Sequence, residues 1–243
     1  MLHWLDERLW FPPTTQAMRD PDGLLAAGGD LRPERLIYAY QRGIFPWYND
    51  DSPILWWSPA PRFVLQPKQL YINRTLNKVI RHRPFTISIN RAFSSVIKLC
   101  AEIKREDQNG TWIHPEMVEA YCTLHQQGWS HSVEAWRGDQ LVGGLYGMAI
   151  GRVFYGESMF SLQSNASKVA FALWAQLLFE MGCELIDCQM KTEHMQKFGG
   201  QAVTRKAFEA LLISTKKEPS YLKQRISPLT GIALLAQDIS NAT

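Results

Sequence analysis

Acidic residues are missing from a long stretch of this chain. Between Ser52 and Ala101, fifty residues, there is no aspartate and no glutamate. Cysteine is scarce too: Cys100, Cys122, Cys183 and Cys188 are the four in 243 residues, and they form no paired framework. That argues against a disulfide-stapled scaffold and for reduced thiols in a cytosol. Cys183, Cys188 and His194 match no common zinc spacing, so they read as packing residues and no metal is expected. No apolar run approaches the ~20 residues that cross a bilayer, so no membrane partner is expected. The first eleven residues carry Asp6, Glu7 and Arg8 among their apolar neighbours, unlike a secretory signal.

What the acid-free stretch does contain is positive charge. Eight of the chain's 26 basic residues fall in it: Arg62, Lys68, Arg74, Lys78, Arg81, Arg83, Arg91 and Lys98. The 18 that remain face all 23 acidic residues, so a net charge of +3 hides a strongly uneven distribution. Asn73 to His82 reads as a helix with Arg74, Lys78 and Arg81 on one face and Leu76, Val79 and Ile80 largely on the other. Surface charges are normally mixed in sign. An unmixed basic face therefore favours contact with a nucleic-acid backbone over a merely solvated helix.

The organisation changes near residue 62. Before it come aromatics and turns: Phe11-Pro12-Pro13, Gly28-Gly29-Asp30, Phe45-Pro46-Trp47 and Trp56-Trp57-Ser58-Pro59. One helix, Pro33 to Gln41, begins with proline in its first turn and stops at Gly43. Little regular strand is expected there. After residue 62 the pattern is regular. Phe85 to Asn90 alternates as a strand, Arg91 to Lys104 and Pro115 to Gln127 read as helices, and three strands follow at His131–Trp136, Gln140–Ala149 and Arg152–Phe160. A helix over Asn165–Met181, a strand over Glu184–Met190 and a last helix near Arg205–Leu212 complete the reading. The order β-α-α-β-β-β-α-β resembles the acetyltransferase-type fold called GNAT. The expected class is thus α+β, with a small N-terminal domain, 1–62, and a GNAT-like mixed-sheet domain, 63–243.

Two strands carry polar groups at alternate positions. In Gly156-Glu157-Ser158-Met159-Phe160-Ser161, Glu157, Met159 and Ser161 share a face. In Leu185-Ile186-Asp187-Cys188-Gln189, Asp187 and Gln189 share one and Cys188 points away. A strand, a helix and a second strand make a parallel pair, and ligands of open α/β sheets sit at that edge. A carboxylate, an amide and a second carboxylate are therefore expected to meet in one cleft. Folds of this order bind coenzyme A through a glycine-rich turn whose N–H groups cradle the pyrophosphate. Here that turn, Leu162 to Ser167, has no glycine, and Asn165 reads as a helix cap. Gly143, Gly144 and Gly147 fall inside a strand and mark a bulge or a close backbone approach. An ordinary user of acetyl-coenzyme A is disfavoured.

Longer motifs carry a resemblance. Gly23-Leu24-Leu25-Ala26, Gly28-Gly29-Asp30-Leu31, Tyr40-Gln41-Arg42-Gly43-Ile44-Phe45-Pro46-Trp47, Leu55-Trp56-Trp57-Ser58-Pro59, Gly110-Thr111-Trp112-Ile113 and Asn165-Ala166-Ser167-Lys168, with the two polar strands, resemble the bacterial leucyl/phenylalanyl-tRNA–protein transferases over nearly the full length. The resemblance implies transfer of Leu, Phe and less readily Met from aminoacyl-tRNA to proteins beginning with Arg or Lys, which marks them for degradation. It implies Gln189 holding the acceptor amine, Asp187 polarising or orienting it, and Glu157 at the donor site. It places Trp47, Trp112, Leu145, Met159, Trp174 and Leu178 around the donor side chain, although better-known members have phenylalanine at the last two positions and methionine at Leu145. It gives tRNA contact to Arg74, Lys78, Arg81 and Arg83, with Asn77 replacing a basic residue. No cofactor is implied: converting an ester to an amide is downhill and needs no ATP. The other readings kept open are a GNAT-like acyltransferase with another donor and a non-catalytic RNA-binding module.

Overall fold

The aromatic-rich opening segment contains more strand than its sequence suggests. The structure, a computed structural model, describes residues 2–103 and 113–234. In it β1 (His3–Leu5), β2 (Leu24–Gly28), β3 (Phe45–Pro46) and β4 (Leu55–Trp57) form one sheet in the order β1-β2-β4-β3, with α1 (Pro33–Tyr40) between β2 and β3. Strands of two to five residues are too short to show alternation. The first four residues of β2 are all buried, so no polar face announces it.

The second sheet starts at β5 (Arg62–Leu65). Then come α2 (Arg74–His82), β6 (Thr86–Ile89), α3 (Phe93–Glu102), α4 (Pro115–Gln126), β7 (Ser130–Arg137), β8 (Gln140–Ile150), β9 (Val153–Ser161), α5 (Ala166–Glu180) and β10 (Leu185–Asp187). From β6 to β10 this is the expected order of elements. Shorter pieces follow that the sequence did not suggest, apart from α7: α6 (Glu193–Lys197), β11 (Gln201–Val203), α7 (Arg205–Leu211), α8 (Ile213–Lys217), α9 (Tyr221–Ile226) and β12 (Ala233–Leu234). The eight strands lie in the order β11-β5-β10-β9-β8-β7-β6-β12.

Side chains alternate along β8 from Gly143 onward, with a register shift against β7 at Val142, and the two faces of the sheet bury different helices. Tyr146 and Met148 pack in one core with residues of α1, α3, α4 and the N-terminal sheet. Val142, Leu145 and Ala149 pack in the other with α2 and α5. Ten residues of α5 are buried, which explains its nearly uniform apolar sequence. In contrast α2 buries Leu76 and Ile80 and leaves Arg74, Lys78 and Arg81 exposed. The glycines of β8 allow close approach. A Cβ on Gly143 would lie 2.6 Å from that of Ala166, and one on Gly147 would lie 2.2 Å from the Tyr155 carbonyl oxygen, beside a register shift at Tyr146/Gly147.

One feature of the sheet positions the site. β9 and β10 run parallel, but Leu185, Ile186 and Asp187 pair with Val153, Phe154 and Tyr155 and no further pairs join them among the described residues. Beyond Tyr155, β9 continues alongside β8, as far as Ser161. The two strands part, and the gap opens toward their C-terminal ends.

Candidate active site

The gap between β9 and β10 is a cavity of about 770 Å³. Its walls come from β8 (Leu145), β9 (Phe154, Glu157, Met159), α5 (Lys168, Phe171), α6 (His194, Met195) and Trp47 after β3, and its rim includes Gln163, Ser164 and Asn165. Most of this lining is apolar, with a few polar groups held in place.

Glu157 is the first of these. Only 8% of its surface is exposed. Tyr40 of α1 donates its hydroxyl to Oε1 at 2.6 Å, and Tyr121 of α4 donates to Oε2 at 3.2 Å. The two tyrosine hydroxyls are also in contact with each other, so their two hydrogens are shared among three close oxygen pairs. Gln189 donates its side-chain amide to Oε1 at 3.1 Å. Burial pushes the Glu157 carboxyl up to about 7, against the pull of the tyrosine hydroxyls, which favour the charged form. The same burial, with the carboxylate beside them, pushes both tyrosines well above their ordinary value, so they act as donors.

Asp187 plays a different part. It is fully buried, and Arg62 grips both its oxygens, Nε to Oδ1 at 2.8 Å and Nη2 to Oδ2 at 2.7 Å. The Arg62 guanidinium lies between the rings of Phe45 and Phe208, 4.8 and 4.7 Å from their centres. Oδ1 of Asp187 also accepts the backbone N–H of Gln189 at 2.8 Å. This is the turn an Asp makes with the backbone two residues on. Gln189 consequently takes φ of +61°, in the left-handed region. The expected alternation through Asp187, Cys188 and Gln189 therefore fails: β10 ends at Asp187, the chain turns, and Cys188 lines the cavity instead of facing away from it. Gln189 still reaches Glu157, but by the turn and not by strand geometry.

Of the side chains the resemblance places around the donor, Trp47, Leu145 and Met159 line the cavity. Trp112 lies outside the described residues. Trp174 and Leu178 do not reach the lining; both are fully buried on α5. Trp174 packs edge-on against Phe154, ring centres 5.6 Å apart, and Phe154 is the surface the cavity sees. Sequence reasoning missed Phe154 and Phe171 as lining residues, although Phe171 shares its helix face with Trp174. At the rim, Asn165 has φ of +68° and makes no cap bond, contrary to expectation. Ser161 Oγ takes that place weakly, accepting the Ser167 N–H at 3.4 Å. His194 is pushed down to about 4 by burial and by Lys168 and Lys197, so it is neutral at pH 7.

Arg74, Lys78, Arg81 and Arg83 are exposed and form no ion pair among the described residues, and α2 packs against α5 beside the cavity. Cys183 is buried, donating its thiol to the Leu185 carbonyl. No group of three His, Cys, Asp or Glu stands together as a metal site among the described residues, and none of its helices is long and apolar enough to cross a membrane.

Chemically, the cavity offers a largely apolar volume ending at a buried carboxyl that burial pushes up to about 7. Beside it is an amide with one N–H held by that carboxylate, which leaves its carbonyl oxygen as an acceptor. Such a pair can hold an amine and relieve it of a proton.

Comparison with known proteins gives consistent matches. Residues 29–60 match the family described as leucyl/phenylalanyl-tRNA protein transferase N-terminal domain, and 64–213 match leucyl/phenylalanyl-tRNA protein transferase. A leucyl/phenylalanyl-tRNA–protein transferase of Teredinibacter turnerae is 53% identical over 87% of this chain and 82% of its own. One of Nitrosomonas eutropha is 54% identical over 86% and 89%. Among solved structures, a GCN5-related N-acetyltransferase from Kribbella flavida aligns over 69% of this chain and 59% of its own, at a TM-score of 0.35 and 12% identity.

Proposed function

The chain belongs to the leucyl/phenylalanyl-tRNA–protein transferase family, an aminoacyltransferase family, and on that premise we propose that it moves Leu, Phe and less readily Met from aminoacyl-tRNA to the α-amino group of proteins beginning with Arg or Lys. The setting is a bacterial cytosol, and the product is a degradation signal. We place the boundary of the N-terminal domain at residue 62; in support, the first sheet ends at Trp57 and the second begins at Arg62.

The bookkeeping of the reaction is simple. The amine nitrogen bonds to the ester carbonyl, the carbonyl–oxygen bond to the tRNA 3′ adenosine breaks, and the amine's proton ends on the released 3′ oxygen. The acceptor amine, with pKa about 7.7–8.0, must be neutral and aligned on the carbonyl. Gln189 accepts one amine hydrogen on its carbonyl oxygen, because Glu157 already holds its N–H. Glu157 takes up the amine's proton and passes it to the departing oxygen, a role suited to a group poised near 7. Asp187, clamped by Arg62, touches no reactant in this scheme and fixes the turn that aims Gln189. Leu, Phe and Met are unbranched at Cβ. Ile and Val would place an extra methyl beside the ester carbonyl, against β9 at Glu157.

The observation that carries this reading is Gln189 pinned between Asp187 and Glu157 at the polar end of an otherwise apolar cavity. The test is transfer of radiolabelled Leu from Leu-tRNA to peptides that differ only at residue one. Arg- and Lys-initial peptides should be labelled and an N-acetylated Arg peptide should not. Labelling that ignores the first residue, or tight coenzyme A binding in calorimetry without any transfer, would count against the reading.

A further inference from the structure

Of the Phe, Trp and Tyr side chains among the described residues, two are exposed, Trp4 and Tyr71. Trp4 is on β1, outside the acid-free stretch. Tyr71 stands inside it, three residues before Arg74 and two before Asn73, whose side chain caps α2. Its side chain is 60% exposed and makes no hydrogen bond, ring contact or cation contact among the described residues.

Its backbone, in contrast, is fixed. The Tyr71 N–H donates to the Phe198 carbonyl at 2.9 Å. Gly199, with φ of +94°, lets the chain approach so closely that a Cβ there would lie 1.8 Å from the Gln69 carbonyl oxygen and 3.6 Å from the Tyr71 nitrogen. The segment 69–71 is thus pinned to the turn after α6. That turn backs the cavity wall: the Phe198 ring centre lies 4.7 Å from that of Phe171 and 5.3 Å from that of His194, both lining residues. Tyr71 therefore holds a bare ring on rigid backbone between the wall of the cavity and the basic face of α2.

A donor tRNA must cross that gap. Its aminoacyl end belongs in the cavity, its phosphates on α2, and the unpaired nucleotides of its 3′ end lie between. An exposed aromatic ring on fixed backbone, flanked by cations without ion-pair partners among the described residues, is the platform on which single-stranded bases stack. We propose that Tyr71 stacks an unpaired base of the donor tRNA's 3′ end, preceding the terminal adenosine. This rests on the transfer reading above.

The test compares wild type, Tyr71→Ala and Tyr71→Phe, using Leu-tRNA and leucyl-adenosine as donors. Loss of one base–aromatic stack corresponds to about a 5- to 140-fold change in affinity. Tyr71→Ala should raise KM for Leu-tRNA by that range, leave kcat close to wild type, and leave leucyl-adenosine kinetics unchanged. Tyr71→Phe should restore the KM. The salt dependence of tRNA binding should keep its slope in Tyr71→Ala, because no charge is lost; a flattened slope would mean that α2 had shifted and would overturn the assignment. So would an unchanged KM in Tyr71→Ala, or a Phe variant as poor as the Ala variant. An equal loss with leucyl-adenosine would put Tyr71 at the terminal adenosine, against the proposal. A wild-type protein that transfers from neither donor would overturn the transfer reading itself, whereas an active wild type matched by Tyr71→Ala would overturn the stacking role alone.

Discussion

Replacing Glu157 by glutamine removes one titration and little else. The amide keeps the volume; its oxygen can accept from Tyr40 and Gln189, and its nitrogen can donate to the Tyr121 hydroxyl. In the wild type, burial holds the carboxyl near 7, far above the 4.5 of an ordinary glutamate. A carboxyl whose folded value is raised binds its proton more tightly in the native state. The native protein is therefore favoured below about 4.5, loses that advantage steadily as pH rises toward 7, and is level above it. Each unit is ~1.4 kcal/mol, so between pH 5 and pH 8 the wild type should lose about 2–3 kcal/mol relative to Glu157→Gln. Urea denaturation of both proteins at the two pH values reads this directly. A stability difference that does not change with pH would refute the buried titration. The same substitution bears on catalysis. If Glu157 takes the proton as its ionised form, wild-type kcat falls below pH 7, whereas the variant is slower, by roughly 10²–10⁴-fold, and lacks that limb.

Three further outcomes follow from the geometry. Asp187→Ala strands the Arg62 charge in the core and should cost ~3–5 kcal/mol in denaturation, with a larger loss of turnover than Cys188→Ala; combining it with Arg62→Leu should recover part of the stability, and a strictly additive double variant would contradict the pairing. Arg74→Ala, Lys78→Ala and Arg81→Ala together should raise KM for aminoacyl-tRNA, spare aminoacyl-adenosine, and lower the salt slope by about 0.7–0.9 for each phosphate no longer neutralised; an unchanged slope would return α2 to a solvated face. Leu-tRNA and Phe-tRNA should exceed Ile-tRNA and Val-tRNA by ~10–200-fold in kcat/KM, and Trp174→Phe should leave the Phe-to-Leu ratio unchanged while Phe154→Leu alters it, because Phe154 and not Trp174 meets the cavity.

The regular half of the fold was legible because its signals are local. Alternation marked β6 to β9, and Gly128 and Gly182, with φ of +77° and +88°, end α4 and α5 where the sequence stops them. The N-terminal sheet was not legible, since strands as short as Phe45–Pro46 carry no period. The site divides the same way. Glu157, Asp187 and Gln189 stood out as polar groups on apolar strands. Their partners did not: Tyr40 is 117 residues from Glu157, Tyr121 is 36 away, and Arg62 is 125 from Asp187. Only tertiary packing brings these together. One trace of Arg62 was available, a lone charge opening the apolar run Phe63-Val64-Leu65, since a buried charge requires a partner. Gln189 was placed correctly beside Glu157 for an incomplete reason: strand alternation suggested it, but the left-handed turn made by Asp187 achieves it.

In the proposed reaction one cavity brings an aminoacyl ester and a protein amine together beside Glu157 and Gln189. Single-turnover transfer from a stoichiometric amount of radiolabelled Leu-tRNA to an Arg-initial peptide tests it most directly, with wild type, Gln189→Ala and Glu157→Gln compared at saturating peptide. The wild type should label rapidly, and both variants should be slowed by at least about 10²-fold with Leu-tRNA binding intact. Labelling at the wild-type rate by both folded variants would contradict it.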